Sequence, residues 1–163
     1  MVIGYFGLRA FTKSASPETT ATYQKDDLQI AVEYCRPSKK GRVIFGELEP
    51  YGKVWRTGAN EATEISFSKP VLFGAKPLPP GTYTLFTIPQ PDTWTVILNS
   101  ALDQWGAFSY DESKDVLRVQ VPADSTPEVT EMFTIDFVEA NNATVHMRLL
   151  WDRTRVEVPI QKQ

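Results

Sequence analysis

The sequence predicts an all-β protein: a single-domain antiparallel β-sandwich or flattened barrel of about ten short strands. Three observations lead there. Short segments of alternating, β-branched or aromatic residues recur along the chain, Gly, Pro and Asn punctuate them at close spacing, and no stretch carries the period of an amphipathic helix. At 163 residues and 42% hydrophobic content the chain can bury one sizeable core, so length favours one domain.

Residues 2–11 are apolar, aromatic or Gly apart from Arg9, and polarity begins abruptly at Thr12. A bilayer span needs about twenty apolar residues, so this run is too short to cross one. Two readings stay open. Residues 1–22 are either the trailing end of an N-terminal anchor or signal segment followed by a Ser/Thr/Pro linker to about Thr22, or a strand or helix packed on the domain. The β-domain itself is expected over 23–163.

From Leu28 the pattern is strict alternation, with Leu28, Ile30, Val32 and Tyr34 on one face, which predicts a half-buried strand. Residues 36–42 form a basic loop: Pro37 ends the strand, Gly41 permits a turn, and Arg36, Lys39, Lys40 and Arg42 either hold an anion or stay solvated. Thr63, Ile65 and Phe67 alternate again, and residues 71–78 read as a tight hairpin around Gly74-Ala75. Turns at Pro79-Pro80-Gly81 and over 89–92 bracket a strand at 82–88 and precede another at 94–98. After the irregular segment 99–110 and a charged bend at 111–115, strands are expected at 116–121, 132–138, 144–150 and 153–160. Asn141-Asn142 makes the turn between the second and third of these.

Composition excludes several functions. Seventeen Lys+Arg stand against 20 Asp+Glu, for a net charge of -3 with no long run of one sign, so no polyanion-binding face forms and nucleic acid is not an expected partner. Cys35 is the only cysteine and His146 the only histidine, which removes intrachain disulfides, thiolate clusters and multi-histidine metal sites. His146 lies in a strand pattern and is expected to face solvent or pack in the sheet. No metal and no cofactor is expected.

The stretch Pro50-Tyr-Gly-Lys-Val-Trp-Arg-Thr-Gly-Ala-Asn-Glu61 fits neither strand nor helix and reads as a structured loop presenting polar heads. Arg56 offers a rigid fork of donors for a carboxylate, phosphate or sugar acid, with Lys53 as a second cation. Asn60 and Glu61 add an amide and a carboxylate, and Trp55 or Tyr51 a stacking surface. The structural alternative is that Arg56 pairs with Glu61, or with a neighbouring strand, to brace the loop. A second cluster over 104–114 sets Trp105, Phe108 and Tyr110 beside Asp111, Glu112 and Lys114, a candidate ligand platform unless the rings belong to the core.

Several longer motifs, among them Arg36-Pro-Ser38, the whole of residues 50–63, Pro80-Gly-Thr-Tyr83, Phe86-Thr-Ile-Pro89 and Gln104-Trp-Gly-Ala-Phe-Ser-Tyr-Asp111, resemble an uncharacterised bacterial family, the domain of unknown function 2911. The resemblance runs strongly over about residues 28–121. Where similar proteins carry Ser before Arg-Pro-Ser this chain has Cys35, so no essential chemistry is implied for that side chain. The resemblance implies an envelope location and brings no activity. Its motifs coincide with the two clusters, and whether those clusters meet in space stays open.

The leading expectation is therefore an envelope-located module, attached to the membrane through its N-terminus, that binds a small polar or anionic ligand such as a saccharide. The candidate residues are Lys53, Trp55, Arg56, Asn60, Glu61, Trp105, Tyr110 and Asp111. A hydrolase using Glu61 or Asp111 as general acid or base, and a structural or interaction subunit, are the alternatives.

Overall fold

The computed structural model describes residues 15–163, and period-two alternation accounts for most of their architecture. Nine strands form among the described residues: β1 (Glu18–Lys25), β2 (Leu28–Cys35), β3 (Thr63–Phe67), β4 (Val71–Phe73), β5 (Lys76–Leu78), β6 (Gly81–Ile88), β7 (Thr93–Asn99), β8 (Asp115–Glu139) and β9 (Thr144–Lys162). All pair antiparallel, in the order β1-β2-β3-β6-β7-β8-β9-β4-β5, and the sheet is not closed. The expected all-β class is present. Leu28, Ile30, Val32 and Tyr34 of β2 are buried as their alternation predicts, and so are Thr63, Ile65 and Phe67 of β3.

The expected strands at 116–121 and 132–138 are two parts of β8, and those at 144–150 and 153–160 are two parts of β9. The joins are corners. Between Ser125 and Thr130 β8 spends five steps where β9 spends two, from Thr154 to Asp152, and another register shift follows before Thr134. At the same corner Asp152 takes a left-handed φ of 54°. Such bulges bend a strand and sharpen its twist. The halves of β9 consequently come back beside each other: Gln161 Nε2 donates to Thr144 Oγ1 at 2.9 Å, and His146 Nδ1 lies 3.0 Å from Glu157. Both His146 and Glu157 are half-exposed there.

The apolar run over 2–11 lies outside the described residues. The polar linker expected to reach Thr22 ends sooner, because Glu18–Lys25 forms β1 and pairs along β2 from Glu18↔Cys35 to Lys25↔Leu28. Alternating Thr and polar residues there make an edge strand with little apolar signal of its own.

The core is centred on aromatic rings. Trp55 stacks on Trp151 (centroids 5.8 Å apart, 17° between planes) and meets Trp94, Phe45 and Phe133 edge-on at 6.0, 5.6 and 4.9 Å. Edge-to-face contacts of this kind add to the large area that each ring buries.

Candidate functional site

The loop of residues 50–62 is fixed at three points before it turns. Gly52 N–H donates to Pro89 O at 2.9 Å, and Trp55 exchanges both backbone hydrogen bonds with Thr87 on β6, at 2.7 and 3.0 Å. That pairing sends the Trp55 ring into the core, where it is 2% exposed. Trp55 therefore packs the core, and the stacking surface expected of it is turned inward.

Beyond Trp55 the backbone enters left-handed space at Thr57 (φ 61°), Gly58 (φ 154°) and Asn60 (φ 60°). A β-branched residue such as Thr57 rarely holds this conformation, which costs about 1–3 kcal/mol. Its side chain compensates: Oγ1 donates to Trp55 O at 3.2 Å and meets Thr87 Oγ1 at 3.0 Å, while its carbonyl accepts from Thr63 Oγ1 at 2.6 Å. Gly58 has no alternative, since a Cβ there would sit 2.9 Å from Cys35 O.

The two sequence clusters meet. Ala62 N–H donates to Gln104 O at 2.8 Å, Gly106 N–H donates to Asn60 O at 3.2 Å, and Glu61 and Trp105 form a β-bridge. Between this junction and β2 opens a cleft of about 210 Å³, lined among others by Glu18, Glu33, Glu61, Glu64, Asp103 and Cys35. Five of the described residues that line it carry carboxyl groups, and Cys35 Sγ lies 4.0 Å from Glu61 Oε2.

Arg56 does not line that cleft and is not the partner of Glu61. Its Nε is buried without a hydrogen-bond partner, and among the described residues its guanidinium is in no ion pair. The carboxylate that feels it is Glu49, on the preceding loop. Burial pushes the Glu49 carboxyl up to about 7, although Arg56 and, more weakly, Arg42 pull it down. Arg42 is anchored by its own guanidinium, which donates to Ser38 O at 2.5 Å and Lys39 O at 2.9 Å.

The remaining candidates lie elsewhere. Lys53 is exposed. Tyr110 packs edge-on against Phe86 at 4.9 Å, donates to Asp115 Oδ2 at 2.6 Å and accepts from Arg118 at 2.8 Å. Burial and the bond to Asp115 push its phenol up to about 12. Asp111 caps a single 3-10 turn, accepting from Ser113 N–H at 3.0 Å and Ser113 Oγ at 2.6 Å, which holds its carboxyl below the usual range. Asn60, Glu61 and Trp105 thus come together, while Arg56, Tyr110 and Asp111 are each in different surroundings. Sequence reasoning does not reach Glu49, which precedes the unusual composition that begins at Pro50 and whose neighbours Glu47-Leu48 give no contrast. Among the described residues no group of three or more His, Cys, Asp or Glu side chains is placed to hold a metal ion.

A family model described as "Protein of unknown function (DUF2911)" matches residues 16–160. No curated protein and no solved structure matches the chain.

Proposed function

Because the chain belongs to the DUF2911 family, for which no function is described, we propose from the site itself that it is a non-catalytic binding module of the cell envelope, holding a small anionic ligand through Arg56. The observation that carries this reading is the buried Arg56 Nε without an acceptor. Leaving a buried donor unsatisfied costs about 1–3 kcal/mol, and more for a charged group. A brace would have used that donor: the alternative of an Arg56–Glu61 pair requires an ion pair, and Glu61 instead faces Cys35 and the cleft. A guanidinium matches a carboxylate, sulfate or phosphate bidentately. The strained backbone at Thr57 and Asn60 fits a segment shaped for binding, since such strain clusters at ligand clamps.

Asn60, Glu61 and Trp105 support the reading by tying the loop of Arg56 to residues 104–106. A hydrolase draws less support. Asp111 is engaged as a cap with its carboxyl held down, the reverse of what a general acid needs. The envelope location rests on the apolar run 2–11 and the polar residues after it.

Isothermal titration with sulfate, inorganic phosphate and acetate, on the wild type and on Arg56→Met, tests the binding. The expected result is binding of at least one anion by the wild type and none by a normally folded Arg56→Met. Equal binding by both, or none by either, overturns it. Fractionation of cells expressing the full chain tests the location, and recovery only in the cytosol would overturn that part.

A further inference from the structure

Away from the Arg56 loop, a second cavity opens where two hairpin turns and the end of β9 converge. It measures about 120 Å³ and is bordered by Lys25 and Asp26 at the β1–β2 turn, Asn142 and Ala143 at the β8–β9 turn, and Lys162. The rest of its lining is mostly apolar: Leu28, Val145 and Ile160 are core residues, each 4% exposed or less. Its walls are fixed by the protein itself. Asn141 Oδ1 accepts from the N–H groups of Ala143 and Thr144, both at 2.9 Å, which sets the β8–β9 turn. Lys25 Nζ donates to Asn142 O at 2.9 Å and Tyr23 OH donates to Glu139 Oε1 at 2.8 Å, tying that hairpin to β1.

Charge at the mouth is unevenly matched. Lys25 lies 3.7 Å from Glu139, and Lys162 pairs with Asp27, which also lies 3.9 Å from Lys69. Both lining ammoniums are therefore matched. Asp26 lines the cavity too, yet makes no hydrogen bond or ion pair among the described residues. The turn holds it in left-handed backbone (φ 54°), which Asp and Asn tolerate better than most residues.

We propose that this cavity binds a small organic ammonium, with its aliphatic body against Leu28, Val145 and Ile160 and its cationic head on Asp26. A dry cavity of about 150 Å³ takes up benzene, so this slightly smaller one suits a body of about four or five carbons. A carboxylate head would find both ammoniums already paired and would face the unpaired Asp26. The site shares no residue with the Arg56 loop and does not depend on the anion-binding reading.

The test titrates the intact, methyl-labelled chain with ethyl-, propyl-, butyl- and octylammonium, 1-butanol and butyrate, reading the methyl resonances of Leu28, Val145 and Ile160. Butylammonium is expected to shift these resonances saturably. Affinity should rise about fourfold per methylene from ethyl to butyl and stop rising by octyl, once the cavity is full. Butyrate and 1-butanol are expected to bind more weakly. Asp26→Asn suits the same backbone and removes only the charge; at this exposed position it should lower butylammonium affinity about two- to fivefold and leave 1-butanol unchanged. The proposal is overturned by no saturable shift at these methyls, by affinity that is flat with chain length, by butyrate binding as tightly as butylammonium, or by a folded Asp26→Asn that binds like the wild type. If Asp26→Asn does not fold, the chain-length series and the butyrate comparison on the wild type decide it.

Discussion

Burial raises the Glu49 carboxyl to about 7 against the pull of two arginines, so the folded chain keeps a proton that the unfolded chain releases in the ordinary carboxylate range. The sign follows directly. A group with a raised acidic pKa costs nothing while protonated in both states, and its penalty grows from the unfolded pKa upward until it is fully present above about 7. Glu49→Gln should therefore stabilise the protein at about pH 8, by at most about 3 kcal/mol, and leave stability near pH 4 almost unchanged. Urea denaturation at the two pH values checks it; equal effects at both would show that the carboxyl is not desolvated in the fold. Arg56 carries a companion prediction at the same scale. Because its Nε has no acceptor to lose, Arg56→Met should melt at or above the wild-type temperature. A brace would melt several degrees lower, so the melting curve of this variant separates the two roles before any ligand is found.

At the scale of the element, the loop from Trp55 to Thr63 is rigid because each unusual torsion is tied down. Gly58 is the point of least tolerance: its φ of 154° and the 2.9 Å separation of a virtual Cβ from Cys35 O combine strain with a clash against backbone that cannot move aside. Gly58→Ala should destabilise by about 2 kcal/mol or more in chemical denaturation; a loss under about 0.5 kcal/mol would mean that β2 and the loop can separate freely. This loop also marks what was legible. Its composition set it apart from strands and marked it as a structured loop. Neither its meeting with residues 104–106 nor the destination of each side chain could be read, because facing direction in an irregular loop depends on local torsions and has no period. Trp55 thus turned inward through its pairing with Thr87, and the charge of Arg56 acts on Glu49, with no ion pair to Glu61 among the described residues. Regular elements gave far more: β2, β3, the β4–β5 hairpin, β6 and β7 all stand within a residue or two of their expected places. β1 escaped because an edge strand of Thr and charged residues reads as linker.

For the whole molecule, strand order alone describes an open sheet, yet the segment after β2 is stitched back to β8, far along that order. The segment after β2 runs along the second half of β8: Lys39 N–H donates to Glu131 O at 2.8 Å, and Phe133 N–H donates to Pro37 O at 2.9 Å. Arg36 adds bonds to Phe133 O at 3.1 Å and Thr134 Oγ1 at 2.8 Å. This seam is possible because β8 bends at residues 125–130, and neither the bend nor the seam has a hydrophobic signature. Two short strands were accordingly expected where one long bent strand exists. Tyr34 occupies the buried centre of the seam. Its hydroxyl accepts from Ile135 N–H at 2.9 Å and donates to Ile135 O at 3.4 Å, while its ring meets Phe133 edge-on at 5.7 Å. Tyr34→Phe keeps the ring and strands a buried N–H, so the hydrogen bond is tested without a cavity. The expected loss is about 1–3 kcal/mol. If the seam joins the β1–β2 side of the sheet and β8 into one cooperative unit, the denaturant slope should stay at its wild-type value as the midpoint falls. A lower slope, or amide exchange at β1 and β2 that runs ahead of exchange at β8, would mean that the two sides open separately and that the seam is only a contact between two folded parts.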